Sequence, residues 1–213
     1  MATHKFYVTV ICFCIFFSTV FSTCKKGGLG CANAVYSFKD SATAFPDIDS
    51  IYVGDTLFIS SNIPTNQTDL SSGQIVDYSN ASNLSLSIQF LKLVGGSVSD
   101  PGTIYVANKF SCIPVIGAQI TDPFTEGERS FSFKERTDMY NLKVAMIPQD
   151  TGAYLIAISN GVNVTRSSGK CTKANYEIDF ANIDQHLYLY QNNRPGYIIN
   201  NYEKTHVYCF KVK

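Results

Sequence analysis

Leu84, Leu86, Ile88 and Phe90 alternate with Ser85, Ser87 and Gln89. A period of two puts the apolar residues on one face of a strand and the polar ones on the other. This is the clearest half-buried strand in the chain. Similar short runs recur along it: Val35–Phe38, Ile51–Val53, Thr56–Ser60, Thr103–Ala107, Cys112–Ile116, Ser130–Phe133, Leu142–Ile147, Tyr154–Ser159, Tyr176–Phe180, Tyr197–Ile199 and His206–Val212. In the last run Tyr208, Phe210 and Val212 point one way, and Cys209 and Lys211 the other. Turn residues such as Gly54-Asp55 and the GGSVSDPG stretch at Gly95–Gly102 separate the runs. Many short strands punctuated in this way predict an all-β sandwich. A helix fits only near Ile183–Tyr190, so at most one short helix is expected. The polar stretch Asn62–Asn83 is long for a connection in a compact domain. It reads as a functional loop or as a local hairpin through Gln74–Tyr78.

The first residues break this pattern. Phe6–Phe21 is a sixteen-residue run, apolar except for Thr9, Ser18 and Thr19, after a short basic start at His4 and Lys5. A spanning helix needs about 20 apolar residues, so the run reads as the apolar core of an export signal. No later segment is long and apolar enough to span a bilayer. The expected organisation is a signal peptide over 1–23, a glycine-containing tether over 24–30 and a β-sandwich over 31–213.

Composition adds exclusions. The 17 basic residues balance the 17 acidic ones, and losing Lys5 with the signal leaves a net charge near −1. That gives no electrostatic footprint for nucleic acid. Of seven cysteines, Cys12 and Cys14 leave with the signal. Five remain, an odd number for an oxidising compartment. If Cys24 carries a lipid thioether, four are left: Cys31, Cys112, Cys171 and Cys209. These are candidates for two disulfides with three connectivities. Neither a CxxC nor a nearby histidine pair suggests a metal, and no cofactor is expected.

Two resemblances follow from these residues. Phe21-Ser22-Thr23-Cys24 resembles a loose lipobox, and the Cys-Lys-Lys that follows is similar to the start of mature lipoproteins from Bacteroidetes. Phe21 and Thr23 stand where that family usually has Leu and a small residue. The resemblance implies acylation of Cys24 and anchorage in the bacterial cell envelope, with the outer membrane as the expected site. The second is Asp150-Thr151-Gly152-Ala153-Tyr154, which resembles the tyrosine corner of immunoglobulin-like domains, with Asp150, Gly152 and Tyr154 at its signature positions. It implies a buried Tyr154 ring whose hydroxyl bonds to upstream backbone. Ile156 replaces the usual cysteine and there is no Trp, so the likeness is to the sandwich architecture. The immunoglobulin-like unit would span about 35–164, with 165–213 as an extension that adds strands or a subdomain.

No motif names an activity. Gly-x-Ser-x-Gly, the P-loop and the dinucleotide fingerprint are absent. Glu177 and Asp179 share one face of a strand about 7 Å apart, a spacing compatible with a glycosidase pair. Their alternation with Tyr176, Ile178 and Phe180 equally describes a solvated face. Six of thirteen tyrosines lie from Tyr176 onward. In YLYQNNRPGY, the residues Tyr188, Tyr190, Arg194 and Tyr197 are candidate contacts for a sugar or an envelope protein, although a Tyr-rich β core and rim would look the same. The sequence therefore supports a non-enzymatic envelope lipoprotein that binds or scaffolds. The alternatives are a carbohydrate-active hydrolase and a subunit that pairs strands in a surface assembly.

Overall fold

The computed structural model describes residues 35–213 apart from 121–125, 160 and 168. Cys24, the tether and Cys31 lie outside the described residues. Residues 33–213 form one compact unit. The chain opens with β1 (Val35–Phe45), β2 (Ser50–Ile51) and β3 (Leu57–Pro64). A small hairpin follows, β4 (Asn66–Thr68) and β5 (Ile75–Asp77), then β6 (Ser85–Leu93) and β7 (Thr103–Tyr105). Next come β8 (Phe110–Ile116), β9 (Ala118–Ile120), β10 (Glu128–Ser132), β11 (Lys134–Arg136) and β12 (Met139–Pro148). The last part holds β13 (Gly152–Ser159), β14 (Gly161–Arg166), β15 (Gly169–Phe180), α1 (Tyr188–Asn193), α2 (Glu203–His206) and β16 (Val207–Val212).

Two seven-stranded sheets face each other. The first runs β11-β12-β3-β1-β15-β14, with β8 also beside β12, and the second runs β2-β16-β13-β6-β10-β9, with β7 also beside β6. All strand pairs are antiparallel except β1 with β15 and β16 with β2. One apolar core fills the gap, combining Phe38, Ile59, Val144 and Ile178 of the first sheet with Leu86, Ile88, Phe90, Ile156 and Phe210 of the second. The alternation read from Leu84 to Phe90 places those four side chains at 3% exposure or less. Aromatic rings bind the sheets at one end: Phe110 lies 4.9 Å from Phe90 and edge-on to Tyr154 at 5.1 Å. The chain crosses between sheets at Gly117, whose φ of 95° joins β8 to β9. A Cβ there would lie 2.4 Å from the Ser132 carbonyl oxygen, so both conformation and space require glycine.

The 165–213 stretch supplies strands to both sheets: β15 lies inside the first between β1 and β14, and β16 inside the second between β2 and β13. Several expectations change. Tyr197–Ile199 is irregular chain, and α2 is a second short helix beside α1. The strands β9, β11 and β14 escape a pattern search for physical reasons. All residues of β9 and β11 are exposed, and β14 is bulged, with Asn163 at positive φ. The disulfide expectation is also corrected: Cys112 and Cys209 are free thiols. Cys112 packs against the inter-sheet core, whereas Cys209 belongs to a second apolar cluster on the far side of the second sheet. They cannot reach one another, and each of the three two-bridge connectivities needs both. The side chain of Cys171 lies outside the described residues.

Candidate functional site

The second sheet is apolar on both faces. Along β13, Tyr154, Ile156 and Ile158 enter the core, while Ala153, Leu155 and Ala157 point outward with Val207 and Cys209 of β16. That outer face is covered by the chain from 181 to 206, through Leu187, Leu189, Tyr190, Tyr197 and Ile199. This strap is fastened at its start. The Asn182 side chain donates to the Ala44 carbonyl at 2.9 Å and accepts from the Ala44 N–H at 2.8 Å, which prolongs the β1–β15 ladder by one side chain. The Gln185 carbonyl then accepts the Cys209 N–H at 2.9 Å. His186, at φ 52°, donates its N–H to Asp184 Oδ1 at 2.7 Å and sets its ring edge-on to Tyr208.

Where the strap turns, residues 182–185, 187, 188 and Lys204 line an open pocket of about 500 Å³. Ile183 is fully exposed and Tyr188 is 41% exposed, so the pocket has an apolar rim. Lys204 and Asp184 supply one charge of each sign. The Tyr188 hydroxyl donates to Asp49 Oδ2. This bond lowers the Asp49 carboxyl below its ordinary range and raises the Tyr188 hydroxyl. The pocket can therefore offer an aromatic ring, an aliphatic side chain and a few polar groups to a partner, which is the composition of a small recognition site. The nearby carboxylates Asp47 and Asp49 are occupied as acceptors for Tyr208 and Tyr188. Among the described residues no group of His, Cys, Asp and Glu has metal-ligand geometry.

Of the four residues singled out in YLYQNNRPGY, Tyr188 alone lines this pocket. Tyr190 and Arg194 are buried, and with Tyr197 they form an internal clamp. The Arg194 guanidinium lies over the Tyr197 ring at 3.5 Å. It donates to the Tyr190 hydroxyl at 2.8 Å, to the Ser97 carbonyl at 3.2 Å and to the Val98 carbonyl at 3.0 Å. Glu203 accepts from the Tyr197 hydroxyl at 2.8 Å and the Asn200 N–H at 2.9 Å. These residues lock the strap onto the loop after β6 and do not form an open surface. Tyr176 and Tyr208 are fully buried in the core.

Tyr154 has the surroundings its motif implies. The ring is buried and its hydroxyl donates to the Asp150 carbonyl at 2.9 Å. The Asp150 side chain pairs with Lys92 at 3.0 Å. Glu177 and Asp179 face outward and are joined by Lys39, whose ammonium sits 2.7 Å from one carboxylate and 2.8 Å from the other. The hydrogen bonds that Lys39 donates to Asp179 and Glu177 raise its ammonium above the ordinary range. The ammonium bridges the two carboxylates, so this pair is built as an ion network. Sequence reading missed Lys39 because its partners come from β15, paired in parallel and 138 residues away. Buried Asp69 was missed too. It gathers the Ser37 N–H, both Ser71 and Ser72 hydroxyls and the Ser72 N–H.

No family model matches the chain, and no curated protein matches it. Among solved structures it is similar to the human F-spondin reeler domain, with 11% identity, 71% of this chain and 91% of that chain covered, and a TM-score of 0.35. It is similar to the second type II cohesin module of the adaptor ScaA scaffoldin of Acetivibrio cellulolyticus, with 12% identity, coverages of 65% and 86%, and a TM-score of 0.31. The CupB6 tip adhesin from Pseudomonas aeruginosa follows, with 12% identity, coverages of 73% and 43%, and a TM-score of 0.19. Likenesses this distant carry no argument about function.

Proposed function

We propose that this chain is a non-enzymatic binding or scaffolding module of the bacterial cell envelope, held at the membrane by acyl chains on Cys24. The reading of Cys24 as the attachment point comes from its place after the apolar run Phe6–Phe21 and before Lys25-Lys26. The observation that carries the binding role is the position of the pocket. It lies beside Asn182, which is bonded to Ala44, near the end of β1 remote from Val35. Eleven residues of strand rise about 3.3 Å each, so the pocket stands roughly 30 Å from the point where the tether enters. An anchored domain would present Ile183, Tyr188 and Lys204 outward, toward a glycan or another envelope protein.

Titration of the soluble 31–213 chain with cell-wall and capsular oligosaccharides, followed by amide NMR shifts, tests the binding role. Shifts clustered at 182–188 and Lys204, lost in Ile183→Asp and Tyr188→Ala, support it. Shifts scattered elsewhere, or unaffected by both variants, refute it. The anchor is tested by the intact mass of the mature N-terminus in cells: a chain beginning at another residue, or an unmodified Cys24, removes it.

A further inference from the structure

The other end of the sandwich carries a hairpin tip with an unusual surface. Residues 68–75 join β4 to β5 and hold a single ionisable side chain, Asp69. That carboxylate is buried. Its Oδ1 accepts the Ser37 N–H at 2.9 Å, and its Oδ2 accepts the Ser71 and Ser72 hydroxyls, each at 2.6 Å, and the Ser72 N–H at 3.0 Å. These donors hold it far below the ordinary carboxylate range. The tip's backbone is largely self-satisfied: Asp69 N–H donates to Gln74, Gly73 N–H to Asp69, and Leu70 N–H to Ser37. What faces outward carries no charge: Thr68, Ser71, Ser72 and Gln74 are exposed neutral residues, and Leu70 and Ile75 stand among them. Leu70 is 57% exposed and Ile75 is 77% exposed, with Val35 at 52% two residues from the Ser37 anchor point. A tip with its charge turned inward and two branched aliphatic side chains outward among neutral polar ones is suited to the interface of a bilayer, where apolar side chains enter the acyl boundary and polar ones stay hydrated.

The place of the tip selects its occupant. The described chain begins at Val35, beside this tip, and Cys24 is eleven residues earlier. Eleven residues span at most about 40 Å even when fully extended. A lipid on Cys24 thus holds the Val35 end within that distance of the bilayer and brings the tip beside it to an effective concentration in about the millimolar range. A weak contact is then enough to be occupied. Exposed Lys134 and Arg136 of β11 lie nearby, since the Asp138 carbonyl in the β11–β12 turn accepts the Thr65 N–H just before β4. Glu135 between them is engaged with the Asn80 N–H, and Asp77 at the base of β5 with the Ser79 N–H.

We infer that the β4–β5 tip docks on the membrane surface through Leu70 and Ile75 and fixes which end of the domain faces the lipid. This rests on the reading of Cys24 as the anchor. Lipid tethering alone leaves a domain free to turn, and a second, weaker contact supplies orientation.

The chain contains no Trp, so single Trp reporters are free of background. The chain from residue 25, with a polyhistidine tag in place of the lipid, is held on phosphatidylethanolamine and phosphatidylglycerol vesicles by a nickel-chelating lipid. Ile75→Trp is compared with Tyr52→Trp, an exposed aromatic at the opposite end. The expected result is a blue-shifted Ile75→Trp emission, quenched severalfold more by brominated lipid than Tyr52→Trp. Adding Leu70→Ser to Ile75→Trp should reduce that quenching. Equal quenching of both reporters, quenching of neither, or a blue shift that follows protein concentration without quenching overturns the proposal, the last indicating a second copy as the occupant. The nickel lipid supplies the tether, so an unmodified Cys24 in cells would overturn the anchor without changing this outcome.

Discussion

Arg194 lies over Tyr197, its guanidinium carbon 3.5 Å from the ring centroid, while its nitrogens reach two carbonyls of the loop after β6. A lysine could reproduce the charge but not a planar fork with both ring stacking and three hydrogen bonds. Arg194→Lys should therefore be nearly as damaging as Arg194→Ala. Each should cost about 2–4 kcal/mol, the range for breaking a buried charged hydrogen-bond network. Urea denaturation checks the magnitude, and recovery of wild-type stability by Lys would contradict the stacking role.

Asp40 points inward from β1. Its Oδ1 accepts from the Gln67 side chain at 3.2 Å, and its buried Oδ2 has no hydrogen-bond partner. Burial raises this carboxyl to about 6. Because the folded value lies above the unfolded one, the native state holds the extra proton between about pH 4 and 6. Stability from this group is present below pH 4, falls as pH rises to 6 and stays low above. Asp40→Asn should stabilise the protein at pH 7 by about 1–2 kcal/mol, reduced from the full linkage value because the site is part-exposed. The gain should vanish near pH 4, as measured by thermal melts across that window.

Burial raises the Cys112 thiol to about 11 and the Cys209 thiol further. Both stay protonated and unreactive at neutral pH. In native protein neither should be alkylated by iodoacetamide in the time that labels both in denaturant, as read by peptide mass spectrometry. Cys209→Ala should cost about 1–2 kcal/mol from lost packing under the strap. A bridge between 112 and 209 in peptide maps would contradict the fold.

Tyr154→Phe removes one hydroxyl and leaves the ring between Phe110 and Phe210. The Asp150 carbonyl then loses its donor, at a cost of about 1 kcal/mol. Tyr154→Ala should cost at least about 3 kcal/mol, because a fully buried aromatic leaves a cavity. Chemical denaturation of the two variants separates the bond from the packing.

The alternation from Leu84 to Phe90, the run at Tyr208–Val212 and the Asp150–Tyr154 motif were legible because they are local: period and turn chemistry act within a few residues. The sequence also held a signal for the covered second face. The unbroken apolar run Ala153–Ile158 is what a strand buried on both sides requires. The parity of cysteines, by contrast, carries no weight once Cys112 and Cys209 are free. Cys24 is then supported by its position after the apolar run.

What the sequence alone determined is the β class, the inward face of its best strands and the turn before Tyr154, because pleat periodicity and turn geometry depend only on neighbours in the chain. The tertiary structure decided the rest. It turned Tyr190, Arg194 and Tyr197 from candidate contacts into a clamp, gave Glu177 and Asp179 their shared Lys39, and hid Asp69 beneath the hairpin tip. Each outcome depends on a partner from a distant strand or loop, and no spacing along the chain records which side chains a parallel pairing or a folded-back strap will bring within 3 Å.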